Sequence, residues 1–343
     1  MKRGTLRILM LFETPGPPSP DIDYTALFED DDFDVEWGVR ETLQWLGHEV
    51  RLMGIYPGHD VHPLLTELET HRPDIVFNLT EGVYEVPRYE RNVAGLLELL
   101  KIPYTGTRAP GLMICSDKAL SKRLLAPHRI RVPAFAVFPR GRVVRRPRRL
   151  SFPLFVKPLG EEGSVGITER SFVSNDEELA DRVLEVHRAH DHDAIAEEYI
   201  DGRELYVGVL GNRRLLVFPP REMTFTKMPD DEPRFASFRA KWDMPYREQW
   251  GIKNHFARGI SDAVRRRIDR TCRRAYRVLG LSGYGRFDIR LTAEGEPYII
   301  EANPNPNLAE YEDFAESAAK SGIKYAPLLQ RILRLGFDAS STA

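Results

Sequence analysis

The sequence predicts an α/β (α+β) chain of two or three domains that opens on a parallel sheet. Three observations lead there. At 343 residues the chain is long for a single hydrophobic core. Its first third alternates apolar strands with amphipathic helices, the pattern of a parallel α/β unit. From about Ser116 the order changes to paired strands with glycine-marked turns and helices set apart from them.

In order, "LRILMLF" reads as a buried strand, "DVEWGVRETLQWLG" as an amphipathic helix that stops at Gly47, and "HEVRLMGI" as a second strand. "HPLLTELETHRP" is a helix ended before Pro73, and "DIVFNLTEG" a third strand running into a loop. "RYERNVAGLLELLKIPYTGT" is a helix followed by a short strand. Loops at the C-terminal ends of such strands are where open α/β sheets bind ligands. "DKALSKRLLAPHRI" is a helix broken by Pro127, and "VPAFAVF" and "FPLFVKPL" are short strands around a basic loop. "DEELADRVLEVHRAH" is a helix capped by Asn175 or Asp176. "AIAEEYIDGRELYVGVLG" is strand, turn, strand; "DAVRRRIDRTCRRAYRVLG" and the segment around "YAPLLQRILRLG" are helices.

Composition excludes several classes. A net charge of −2 gives no global attraction to nucleic acid or membrane, and no apolar run approaches a membrane span. Two cysteines, Cys115 and Cys272, make no disulfide framework, so a cytoplasmic location is expected. "RGRVVRRPRR" lacks interleaved aromatics and is a solvated loop, "EDDDFD" lacks the spacing of a calcium loop and is a flexible acidic loop, and "HRAHDHD" ends a helix without a second zinc-ligand cluster. The arginines of "RRRIDRTCRR" fall at helical spacing, as on a solvated face.

"YGRFDIRLTAEGEPYIIEANPNPN" carries the chemistry. Read as a hairpin with a two-residue Glu294-Gly295 turn, it pairs Ala293 with Glu296, Asp288 with Glu301, and Arg286 with Asn303. Period-two alternation puts all four of these polar side chains on one face. Opposed carboxylates sit at roughly 5 Å and repel, so something positive belongs between them. Two carboxylates and an amide oxygen are hard ligands that suit Mg²⁺. "PLFVKPLGEEGSVGIT" sets Lys157 at a strand end before a glycine-rich loop whose amides can wrap phosphate, although it is not a Walker A sequence.

Together "VFNLTEG", "LLELLKIPYTGT", "SDKALSK", "FPLFVKPLGEEGSVGI", "EEYIDGRELYVGVLG", "GYGRFDIRL" and "PYIIEANPNPNL" resemble the ATP-grasp superfamily, in its D-alanine–D-alanine ligase-like branch, in order and spacing. The resemblance implies a three-domain ATP-grasp fold: an N-terminal parallel-sheet domain, 1–114, then a central domain, 115–204, and a C-terminal domain, 205–343, which sandwich ATP between antiparallel sheets. It assigns Lys118 and Lys157 to the phosphates, Ser164 to the loop over them, Glu197, Glu198, Tyr199 and Ile200 to the adenine, and Glu204 to the ribose. Asp288, Glu301 and Asn303 would hold two Mg²⁺ ions, with Mn²⁺ an alternative. Arg286 would stabilise the tetrahedral intermediate, and Lys241 would approach the γ-phosphate. A homodimer through the N-terminal domain is implied by the resemblance alone.

The sequence departs from that branch on the amino-acid side. The loop after the first strand, "FETPGPPSPDIDY", lacks the family's serine- and glutamate-containing motif. Gly163 stands for the supporting serine, Trp242 for the tyrosine after Lys241, and Glu81 for a family histidine. The expected activity is therefore ATP-dependent ligation of a small-molecule carboxylate and amine through an acyl phosphate, with substrates other than two D-alanines. Alternatives are a nucleotide-binding regulatory protein without turnover, or an authentic D-alanine–D-alanine ligase. On the substrate side also lie Asn307 and Glu312, the latter where the family grips the incoming carboxylate with a serine. Glu312 either lines the pocket, where the acceptor should then lack a free α-carboxylate or carry a cationic group such as an amine or guanidine, or begins a solvated helix at whose N-terminus acids are favoured.

Overall fold

In the computed structural model, residues 4–16, 24, 26–29, 31–58, 61–82, 86–161, 163–190, 192–229 and 232–340 are described. The first third contains β1 (Arg7–Glu13), α1 (Asp34–Trp45), β2 (Glu49–Ile55), α2 (His62–His71), β3 (Ile75–Asn78) and α3 (Glu90–Leu99). The strands form a parallel sheet in the order β2–β1–β3. β1 is buried from Ile8 to Phe12 because helices cover both of its faces. Ile8, Met10 and Phe12 pack with Leu328, Leu329 and Ile332 of the closing helix, while Leu9 and Leu11 pack with Leu64, Leu68 and Leu97. The short strand expected after α3 is reduced to one bridge, between Val76 and Tyr104. Of the acidic run expected to be a flexible loop, Asp31–Phe33 form a 3₁₀ turn and Asp34 starts α1, where acids suit the helix dipole; Asp30 lies outside the described residues.

Next come α4 (Ala109–Cys115) and α5 (Lys118–Leu125). α4 was not expected, since it is short and its Pro110 reads as a break, yet proline is tolerated in a first helical turn. Gly111 lets it pass the Gly280 carbonyl, which a Cβ would meet at 2.7 Å. α5 is capped by Asp117, which accepts from Ala119 N at 2.8 Å and Leu120 N at 2.9 Å.

β4 (Phe135–Phe138), β5 (Leu154–Pro158), β6 (Phe172–Val173), α6 (Asp176–His190) and β7 (Ala194–Glu198) make an antiparallel sheet, order β4–β7–β5–β6, with α6 on one face. A larger antiparallel sheet, order β11–β10–β8–β12–β13 with β9 against β8, follows. It comprises β8 (Arg203–Leu210), β9 (Leu216–Val217), β10 (Arg221–Phe225), β11 (Ile252–Phe256), β12 (Tyr284–Leu291) and β13 (Pro297–Pro304). Its helices are α7 (Phe238–Trp242), α8 (Met244–Trp250), α9 (Asp262–Val278), α10 (Asp313–Lys320) and α11 (Tyr325–Ser340). β7 and β8, adjacent in sequence, therefore belong to different sheets, and Tyr199–Gly202 crosses between them.

The β12–β13 hairpin pairs Asp288 with Glu301 and Arg286 with Asn303, as the alternation predicts, but by a different route. The turn holds three residues, since Thr292 N donates to Glu296 O at 3.1 Å and Gly295 has φ +75°. A one-residue bulge opposite Asp288/Ile289 then restores the register. Beyond the bulge Ile300 and Glu301 both face the cleft, while Phe287, Ile289, Ile299 and Ala302 enter the core under α9.

Candidate active site

The two antiparallel sheets enclose a cavity lined by Lys157, Ser164, Glu197, Glu198, Tyr199 and Ile200, and further by Glu204, Lys241, Asp288, Ile300 and Glu301. Residues predicted from four separate segments thus meet in one space. At its floor Glu197 is buried between two lysines: Lys122 Nζ lies 2.9 Å from Oε1 and Lys157 Nζ 3.2 Å from Oε2. Burial alone would raise the Glu197 pKa, but the two ammonium groups outweigh it and hold it below the usual carboxylate range. Burial pulls Lys122 down to about 8 against the attraction of Glu197. Lys122 also donates to the Ile300 carbonyl beside the bulge.

Lys118 is almost fully buried and reaches Glu301 Oε1 at 2.9 Å, donating also to the Glu161 carbonyl in the glycine-rich loop. Burial opposes ionisation of Glu301, yet Lys118 and Lys157 overcome it and hold the group at about 2. Across the hairpin, Arg286 Nε and Nη2 grip Asp288 Oδ1 and Oδ2 at 2.7 and 3.1 Å. Burial disfavours the Arg286 charge, and Asp288 more than offsets that. Each carboxylate of the opposed pair is therefore neutralised by its own cation. Among the described residues no three His, Cys, Asp or Glu cluster as metal ligands. The hairpin supplies two carboxylates and Asn303, whose Nδ2 is buried without a hydrogen-bond partner. The two carboxylates and the Asn303 Oδ1 are a hard-oxygen set that fits a small divalent cation, and the open Nδ2 donor fits an acceptor such as a phosphate oxygen.

Ser164 sits at φ +67° and donates from Oγ to Ala236 O at 3.0 Å, closing the loop over the cavity. Glu198 accepts from Ser151 N at 3.1 Å, and Tyr199 OH donates to Arg234 O at 3.1 Å. Glu204 is engaged by Arg290 at 2.8 Å and by Ala236 N at 3.2 Å.

A second cavity of about 380 Å³ adjoins the first at Lys241 and is lined by Arg286, Asn303, Asn307, Gly163, Trp242, Glu81 and Glu312. Trp242 Nε1 donates to Gly163 O at 3.2 Å, so two of the positions that depart from the family pattern touch. Glu312 is the N-cap residue of α10, without a side-chain cap bond, and it lines the cavity. Burial raises its pKa, with Asp313 repelling it. Asn307 Oδ1 accepts from Ala309 N at 2.8 Å.

Sequence reasoning missed Lys122, four residues after Lys118 and so on the same helix face, a spacing that could have found it. It also missed Arg221 and Arg247. Arg221 bridges Asp313 at 2.9 Å and Glu316 at 2.6 Å, and Arg247 reaches Asn254 Oδ1 at 3.3 Å. The decoys divide. The "RGRVVRRPRR" loop carries Arg146, paired with Asp176 at 2.8 Å. His187 Nε2 contacts the Phe138 carbonyl at 2.9 Å, and His192 pairs with Glu161. The α9 arginines do more than cover a solvated face: Arg265 pairs with Asp269, Arg267 with Glu296, and Arg273 donates to the Leu215 carbonyl. Both cysteines are buried and neither is in a disulfide. Among the described residues no helix is long and apolar enough to cross a membrane.

Residues 124–334 match the family model described as the D-ala D-ala ligase C-terminus. The chain is 32% identical over 272 residues to D-alanine–D-alanine ligase of Bordetella petrii, covering 78% of each chain. It is 31% identical to the uncharacterized protein y4sG of Sinorhizobium fredii, covering 86% of this chain and 85% of that one. The crystal structure of D-alanine–D-alanine ligase from Bacillus anthracis complexed with ATP aligns with a TM-score of 0.74 at 20% identity, over 98% of this chain and 99% of that one, and shows the shared fold. The chain belongs to the D-alanine–D-alanine ligase family of ATP-grasp carbon–nitrogen ligases.

Proposed function

We propose that this protein is an ATP-dependent carboxylate–amine ligase that forms an amide through an acyl phosphate, on substrates other than two D-alanines. The observation that carries the reading is the register-paired Asp288 and Glu301 facing Lys118, Lys157 and Lys241 in one cavity. In this reading 1–114 supplies the outer wall of the substrate site, and 115–204 and 205–343 enclose the nucleotide.

Lys118, Lys157 and Lys241 neutralise the phosphates, the Ser164 loop covers them, Glu197–Ile200 meet the adenine, and Glu204 meets the ribose once Arg290 yields. Asp288, Glu301 and Asn303 would hold two Mg²⁺ ions, with Mn²⁺ a substitute, which would supply charge neutralisation for the transferred phosphate. A carboxylate oxygen of the donor attacks the γ-phosphorus, the bond to the bridging oxygen breaks, and ADP leaves with that electron pair. The amine nitrogen then adds to the acyl carbon. Arg286, held by Asp288 through Nε and Nη2, presents the rest of its fork to the oxyanion. The C–O bond to phosphate breaks, phosphate leaves, and the surplus amine proton passes to solvent.

Substrates other than two D-alanines are supported by charge. Glu81 and Glu312 line the second cavity where a free amino acid would bring its own carboxylate, and like charges in a desolvated site repel strongly. The test incubates the protein with ATP, Mg²⁺ and pooled acids and amines, and measures ADP and new amides by mass spectrometry. New amides with matching ADP are expected, with D-alanine alone giving none. D-alanyl-D-alanine from D-alanine at ordinary concentrations would overturn the substrate proposal. ATP binding without ADP from any pool would overturn the ligase.

A further inference from the structure

A third cavity, of about 300 Å³, opens from the second and reaches back to the N-terminal sheet. The two share Glu81, Trp242, Asn307 and Glu312 in their walls. Asp34, Glu36, Glu81 and Glu312 line it, and its described lining residues include no Lys, Arg or His. Glu13, at the end of β1, stands behind it and accepts a hydrogen bond from Gly82 N. Among the described residues no cation pairs with Glu36 or Glu81; the nearby Arg40 lies instead over the rings of Phe28 and Trp37. A second feature is independent of these acids. Asn78 lines the cavity at 1% exposure, and its Nδ2 is buried without a hydrogen-bond partner while its Oδ1 accepts from the Thr80 hydroxyl at 2.9 Å. A buried donor left open on a cavity wall is costly unless a ligand supplies an acceptor.

We propose that the amine substrate carries a second cationic group, an ammonium or a guanidinium, which the Asp34–Glu36–Glu81–Glu312 cavity holds while the reacting amine lies beside Arg286. This rests on the ligase reading above. The two cavities differ in charge: Arg221, Lys241, Arg247 and Arg286 line the second together with Glu81, Glu90, Glu312 and Asp313, whereas the charged groups among the described residues that line the third are all acids. An amine attacks only as the free base, and an alkylamine near pKa ~10 is protonated at neutral pH. Positive neighbours favour its deprotonation and negative neighbours favour its protonation. A substrate with two basic groups is therefore sorted by the field, protonated at the acidic end and released of its proton at the Arg286 end. Burial, with Glu81 and Glu13 repelling, pushes Glu36 up to about 7, a repulsion that a bound cation relieves. A distal carboxylate would meet the same acids and be rejected. An acceptor atom near the cationic end would in addition satisfy Asn78 Nδ2, a contact that simple diamines do not make.

The test is calorimetric titration of the protein saturated with ADP and Mg²⁺, using agmatine, 1,4-diaminobutane, n-butylamine and 4-aminobutanoate. Agmatine and diaminobutane should bind at least tenfold tighter than butylamine, and aminobutanoate weakest. The double substitution Glu36→Gln with Glu81→Gln should remove that preference and leave ADP affinity intact. Glu312→Gln, on a different element, should weaken it several-fold and serves if the double variant does not fold. Equal binding of butylamine and diaminobutane, no binding of any of the four at millimolar concentration, or a preference unchanged by these substitutions overturns the inference. Selective dication binding without ADP release from any acid pool would instead count against the ligase reading and leave the cavity assignment standing.

Discussion

Two groups of buried carboxylates lie in one cleft and are treated in opposite ways. At the nucleotide end Glu197 and Glu301 are enclosed, yet each is held ionised by lysines, Glu301 at about 2. At the N-terminal end burial raises Glu13, Glu36 and Glu81, with Glu36 near 7, and among the described residues no lysine pairs with any of the three. What differs is the partner supplied by the fold. The nucleotide end carries its own counter-cations, which phosphates can take over. Among the described residues lining the acidic cavity there is none, and that asymmetry is what a cationic substrate would complete.

The comparison breaks most sharply at the hairpin. Glu301→Gln, or Asp288→Asn, removes a charge from the phosphate-facing pair and is expected to lower ATP turnover by about 10³-fold, read as ADP release. Arg286→Met should cost about 10²-fold in kcat with little change in ADP affinity, because it faces charge that forms only during the reaction. Lys122→Met tests the floor of the nucleotide site. It leaves Glu197 with Lys157 alone, so ATP affinity should fall roughly tenfold, a loss confined to binding and not shared by an exposed lysine such as Lys253.

The smallest effect sharpens the other side. The folded-state pKa of Glu36, about 7, lies above its ordinary 4.5. Its contribution to stability is thus fully present below pH 4.5 and is lost as pH rises through 7. Glu36→Gln should raise Tm by roughly 2 °C at pH 8, and the melting curve should depend less on pH between 4.5 and 7. Unchanged melting at pH 8 would show that the Glu36 carboxylate is not under strain.

At the lysine-rich end the opposition of Asp288 and Glu301 was legible from period-two alternation and a turn signal, whereas Lys118 on α5, Lys241 on α7 and the Ser164 loop were reached only through the resemblance. Even there the pairing of Asp288 with Glu301 emerged from two cancelling one-residue departures, a longer turn and a bulge, neither visible in the alternation. The parallel sheet was legible from its runs of buried apolar residues. α4 was not, because a short helix opened by Ala-Pro reads locally as a break. The acidic cavity was legible only in part. Glu81 and Glu312 were singled out, but Glu36 and Asn78 come from α1 and β3, and only the tertiary arrangement of these elements brings them to one cavity.

The most direct test of the central claim, that ATP here activates a carboxylate, is trapping with hydroxylamine. The protein would be mixed with ATP, Mg²⁺, pooled carboxylic acids and hydroxylamine, a small nucleophile that captures acyl phosphates, and the hydroxamates counted against ADP. The account predicts a hydroxamate formed in equal amount to ADP, dependent on an acid and abolished in Glu301→Gln. ADP release that is indifferent to the acids, with no hydroxamate formed, would contradict it.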